Sequence, residues 1–299
     1  TGGTDGTQPG YVANTSGNDP AVATFGDAAL AIGNYNNTAG TSLNPYFGGV
    51  DEFAFYQTKL SAEQILGHYQ NATNANRTVS YSSLIQADKP AVYLHLDEEA
   101  PGPEIAVNYG ETRAIGHGSH TTEVRYPAPG AISAGGNDGS VAYHNRNGKS
   151  TTTLPWTAGN NPGADKPLSV EFWARPMRDQ QGGQCPVNNR FVGGTGRTGW
   201  VIFQRNPNTT YPASEGHGWN FRMFRGAGGS GADVNTDTDY RIGEWQHLAF
   251  TWEPVTDNGD PSGNGNNQWE GILTAYVNGV AVNTNSAALY AANLQTPED

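Results

Sequence analysis

Carboxylates are the residues best able to do chemistry in this sequence. Asp51 and Glu52 sit together in GGVDE, Asp97 and Glu98 in LHLDE, and Glu171 stands between apolar neighbours in SVEFW. Retaining cleavage of a glycosidic bond needs two carboxyl groups about 5 to 5.5 Å apart. Asp51 and Glu52, adjacent on a strand, would point to opposite faces, and Glu171 has no acid beside it. Seven His supply no H-E-x-x-H spacing. His247, in WQHLAF, reads as a hydrogen-bonded core or interface residue. The expectation is therefore that the chain is not an enzyme.

Oxygen-rich segments suit a hard cation better, because calcium takes about six to eight oxygen ligands from carboxylates and carbonyls. In DVNTDTDY, Asp233, Asn235, Asp237 and Asp239 alternate and Glu244 falls at the twelfth place of an EF-hand count. Thr238 stands where that loop turns, and the flanks read as strands, so this is expected to be a polar loop. DNGDPSGNGNN, residues 257–267, reads as a long hairpin tip. Sugar recognition would use exposed aromatic faces. Trp156, Tyr211 and Trp269 lie in loop-like surroundings and are the candidates, whereas Trp173, Trp200, Trp219 and Trp245 fall inside strand patterns.

These groups must be carried by short strands. The 299 residues include 40 Gly, 18 Pro and 29 Asn, a composition of turns that disfavours helical bundles and α/β enzymes with long crossover helices. Seven Trp, 14 Tyr and 10 Phe supply the apolar surface that a disordered chain lacks. A net charge of −12 repels phosphate backbones, which argues against nucleic acid as a partner. Cys185 is the single cysteine, so no internal disulfide staples the fold. No apolar run is long enough for membrane insertion.

Along the chain, ALAIGNY (29–35) and VDEFAFYQ (50–57) read as strands. In the second, strict alternation puts Val50, Glu52, Ala54 and Tyr56 on one face and Asp51, Phe53 and Phe55 on the other. Ser61 with Gln64 three places on predicts a capping box and a short helix carrying Ile65, Leu66 and Tyr69. The polar stretch that follows reads as a linker over 73–86. Strand-length runs then recur at 91–98, 140–145, 168–176, 199–205, 218–225, 244–253 and 272–279.

Several of these segments resemble the laminin-G-like family of large bacterial extracellular proteins. GGVDEFAFYQTKLSAEQILGHY is similar to its closing strand and helix, ADKPAVYLHLDE to its opening strand, PLSVEFWARP to its central strand, and GEWQHLAFTWE with AYVNGV to its later hairpin. The resemblance implies an all-β fold, an antiparallel concanavalin A-like β-sandwich jelly roll with a short helix after the closing strand. It also implies that Asp51, Glu52, Asp97 and Glu98 approach one another, a candidate set for a structural calcium ion. The E-x-D-x-E type of run that glucanases of this fold carry is absent from the sequence.

The closing segment comes first. Residues 1–72 hold the closing part of a jelly roll and 87–299 the opening part, which is expected to be completed by another repeat or subunit. A tandem array cut out of phase, head-to-tail completion in a fibre, and permutation within one molecule all satisfy this order. The function expected is a non-catalytic structural or adhesive module, extracellular or at the cell surface, with copies of itself as partners. A calcium-dependent module binding polysaccharide is the alternative.

Overall fold

The computed structural model describes residues 30–34, 45–98, 105–121, 124–132, 139–144, 150–178, 184–193, 196–205, 218–226, 230–263 and 265–293. In chain order it contains β1 (Leu30–Ile32), β2 (Phe47–Tyr56), α1 (Ala62–Thr73), α2 (Tyr81–Ala87), β3 (Val92–Leu94), β4 (Ile105–Ala106), β5 (Gly118–His120), β6 (Val124–Pro129), β7 (Gly139–His144) and β8 (Thr152–Leu154). There follow β9 (Leu168–Pro176), β10 (Gln184–Asn188), β11 (Phe191–Gly193), β12 (Gly196–Thr198), β13 (Trp200–Gln204), β14 (Trp219–Phe224), β15 (Ser230–Asn235), β16 (Gln246–Asp257), β17 (Trp269–Val277) and β18 (Val280–Tyr290).

Two large antiparallel sheets face each other. One runs β15-β14-β13-β10-β1-β8-β5-β4, the other β18-β17-β16-β9-β2-β7-β6 with β3 also on β2, and β11 pairs with β12 apart from both. Apolar side chains from the two inner faces interdigitate as one core, with Trp200, Trp219 and Phe221 from the first sheet meeting Phe53, Phe172, Phe250 and Trp252 from the second. This is the jelly-roll sandwich that the strand runs predicted.

The early strands take interior places. β1 lies between β10 and β8, with Ala31 opposite both Asn188 and Thr153. β2 lies beside β9, while β7 takes the first half of its other edge and β3 the second half. In this single chain both strands lie in the chain's own sheets. The reach is short because α1 and α2 fold the chain back so that β3 runs antiparallel to β2. The stretch expected to be a linker is partly helical for a local reason. Ser80 caps α2 by accepting from the Ser83 amide at 3.1 Å, and Tyr81 and Ile85, four apart, are buried on one face.

Strict alternation fails in β2. Val50 shares the inter-sheet core with Phe53 and Phe55, whereas Ala54 and Tyr56 face the helices. A bulge between Asp51 and Ala54 resets the parity, with Glu52 in the left-handed region at φ 51°. The capping box is as expected: Ser61 Oγ accepts from the Gln64 amide at 3.2 Å, and Gln64 Oε1 accepts from the Ser61 amide at 2.9 Å. Helix α1 buries Ile65, His68 and Ala72, an i, i+3, i+7 stripe, and turns Leu66 outward. Both helices cover the outer face of the second sheet, over Tyr56, Tyr93, Trp173 and Tyr276.

Candidate functional site

Beneath that helical cover lies Glu171, at the centre of β9 and 0% exposed. Charge in such a place requires partners on every lone pair. Glu171 has four. The Tyr56 hydroxyl donates to Oε1, His68 Nδ1 lies 3.0 Å from Oε1 and 3.1 Å from Oε2, and His247 Nε2 lies 3.1 Å from Oε2. On its far side His68 Nε2 meets Asp88 Oδ2 at 2.9 Å. Asp88 is the C-cap of α2, so the chain of contacts runs from sheet to first helix to second helix.

Burial by itself would raise the Glu171 pKa. The charge on His68 and the hydrogen bonds from His247 and His68 outweigh it and hold the carboxyl well below its ordinary range. Burial would likewise lower His68, but Glu171 and Asp88 raise it above the free imidazole value. Burial and the neighbouring Glu171 push the Tyr56 phenol well up, so it stays a donor. Trp173 seals the flank, its ring 5.9 Å from Tyr69 and 5.2 Å from His247. The arrangement ties the sheet to both helices through buried side chains.

Sequence reasoning left Glu171 without partners and gave His247 one unspecified hydrogen bond. The partners come from α1, α2, β2 and β16. One signal was available: His68 occupies the apolar stripe of α1 between Ile65 and Ala72, where a polar side chain needs a buried mate.

The expected calcium ligands fare differently. Asp51, 1% exposed, accepts from the Ala131 amide at 2.8 Å. Glu52 accepts from the Tyr93 hydroxyl, and Glu98 from the Val107 amide at 3.0 Å with His120 Nε2 at 3.4 Å. Asp97 Oδ2 lies 3.7 Å from His95 Nδ1. Burial would lower the His95 pKa, but Asp97, Glu52 and Glu98 raise it above the free imidazole value. Among the described residues no three His, Cys, Asp or Glu converge as metal ligands. The bulge at Glu52 accompanies different partners for Asp51 and Glu52.

Of the aromatic candidates, Trp156 is half-buried after β8, with its Nε1 buried and without an acceptor. Trp269 is half-buried and packs on the edge of the inter-sheet core. Tyr211 lies outside the described residues. Trp173, Trp200 and Trp219 are buried as expected, and Trp245 packs half-buried under the helices. Asp233 is taken by Arg222, Nε to Oδ1 and Nη2 to Oδ2 both at 2.6 Å, which leaves DVNTDTDY a strand end and loop.

Residues 147–297 match the family model Laminin_G_3, described as the concanavalin A-like lectin/glucanases superfamily. The chain belongs to this superfamily. The match begins just before β8 and runs through β18, so β1, β2 and β3, which complete both sheets of this superfamily member, come from outside the matched range. Comparisons with curated proteins and with solved structures returned no match. Superfamily membership fixes the two-sheet sandwich and a binding-module scaffold; the superfamily holds both lectins and glucanases. Among the described residues no helix is long and apolar enough to cross a membrane.

Proposed function

We propose that this chain is a non-catalytic binding and adhesion module of an extracellular or cell-surface protein, each copy closing its own jelly roll. The observation that carries this reading is Glu171. A hydrolase of this superfamily needs accessible paired carboxyls, whereas Glu171 is fully buried with both oxygens engaged. The β2 carboxylates are engaged as well, Asp51 by Ala131 and Glu52 by Tyr93.

Polysaccharide is the ligand class that the superfamily and the half-buried Trp156 and Trp269 favour. The test is incubation with a panel of neutral and acidic polysaccharides, reading retention and release of reducing ends together. Retention without new reducing ends supports the module; steady release of reducing ends refutes the non-catalytic reading. Loss of retention in Trp156→Ala or Trp269→Ala assigns the contact face.

A second reading rests on chain order. Because β1 and β2 precede the hinge of α1 and α2 yet sit inside both sheets, a neighbouring copy's β1 and β2 would fit the same places, giving a head-to-tail fibre or a tandem array. Electron microscopy of the protein at high concentration tests this: regular filaments support it, and single particles at every concentration refute it.

A further inference from the structure

His68 meets a carboxylate at each ring nitrogen. Nδ1 faces Glu171 at 3.0 and 3.1 Å, and Nε2 faces Asp88 at 2.9 Å. Ionised carboxylates only accept, so a neutral imidazole, which carries one N–H, would leave a lone pair against one of them. The imidazole is 2% exposed, which denies it water in compensation. His247 differs: its Nε2 meets Glu171 while its Nδ1 is buried without a partner.

We infer that His68 is held as a doubly protonated imidazolium, a cationic clasp between Glu171 on the sheet and Asp88 on α2, and that raising the pH past neutrality loosens the two-helix cover. The groups facing the clasp are known from each packed element: Glu171 from β9, with Tyr56 of β2 and His247 of β16 on the same carboxylate, and Asp88 with Tyr81 from α2. The two tyrosines have pKa values well above the ordinary phenol value, so they stay neutral while His68 titrates. The raised His68 pKa agrees with the geometry.

The direction follows from linkage. Below about 6.5, the free imidazole value, His68 is protonated whether the cover is closed or open, and the clasp acts in full. Above it, closing the cover must take up a proton, and closure weakens by up to about tenfold per pH unit until His68 deprotonates in the closed form. Opening uncovers an apolar strip that includes Tyr56, Trp173 and Tyr276. Alkali, not acid, is therefore the releasing signal.

The test is amide exchange of the intact chain from pH 6 to 10, expressed as protection factors so that intrinsic base catalysis is removed. Protection in α1 and α2 is expected to fall about tenfold per pH unit over the first part of that range, while β9 and β16 keep theirs. Asp88→Asn, at a partly exposed cap, keeps the helix and removes one carboxylate, and is expected to leave the onset of the fall in place but end it at a lower pH with a smaller total loss of protection. The His68 ring resonances should titrate at a midpoint above that of a free histidine. Flat protection in α1 and α2, an unmoved profile in Asp88→Asn, or a His68 midpoint at or below the free value would each overturn the inference.

Discussion

Glu171 Oε1 lies 3.0 Å from His68 Nδ1, and the two side chains are 0% and 2% exposed, so a full ion pair is sealed between a sheet and the helix that covers it. A buried pair contributes little over a well-packed apolar pair, but breaking it by removing one partner is severe. Glu171→Gln removes the buried one of the two carboxylates that face His68 and leaves only the partly exposed Asp88. It is expected to cost about 3 to 5 kcal/mol, read by urea unfolding. A loss under about 1 kcal/mol would show that Asp88 alone suffices to hold the buried ring.

The pH dependence of global stability follows from the same pair. Glu171 is depressed, so its contribution is present above about 4.3, the unfolded glutamate value, and is lost as pH falls through its folded value. His68 is raised, so its contribution is full below about 6.5 and is lost as pH rises through its folded value. Maximum stability is expected between those limits. Thermal midpoints collected from pH 3 to 9 check it, and a maximum above pH 8 would contradict it.

Gly33 ties the early segment to the sandwich. Its φ is +88°, its amide donates to Pro186 O at 2.7 Å, its carbonyl accepts from Tyr46, and a Cβ there would overlap the Tyr143 ring. Gly33→Ala is expected to lower stability by about 1 to 3 kcal/mol from backbone strain and overpacking. The loss should appear in the transition reported by core tryptophans such as Trp200 and Trp252. An unchanged tryptophan transition would mean that β1 is not part of the same cooperative unit.

Metal removal gives a separate check. Asp51, Glu52 and Glu98 already accept from Ala131, Tyr93 and Val107, so EDTA is expected to leave the thermal midpoint unchanged. A fall of several degrees, restored by calcium, would establish a structural ion using these carboxylates.

The strand inventory and the α1 capping box were legible because each rests on local signals: alternation, bounding turns, and a Ser with Gln three places on. What was not legible is non-local or breaks a local rule. Glu171 draws partners from positions 56, 68 and 247, and no spacing in one sequence reports such convergence. The bulge at Glu52 reverses the parity on which face assignments depend, which is why Val50 was expected with Ala54 and is found with Phe53. Helix α2 is only seven residues long with two buried positions, too little periodicity to stand out from a polar stretch.

Ala31 and Thr153 stand opposite each other across β1 and β8, on the face turned away from the core residues Leu30, Ile32 and Leu154. A Cys at each position would meet disulfide geometry only if β1 occupies that place. The Ala31→Cys, Thr153→Cys variant, oxidised and run without reductant, tests self-completion directly, with the Ala31→Cys single variant as control. Self-completion predicts a cross-linked monomer that migrates faster than its reduced form. A ladder of disulfide-linked dimers and higher species, absent from the control, would contradict it and place β1 in a neighbouring copy.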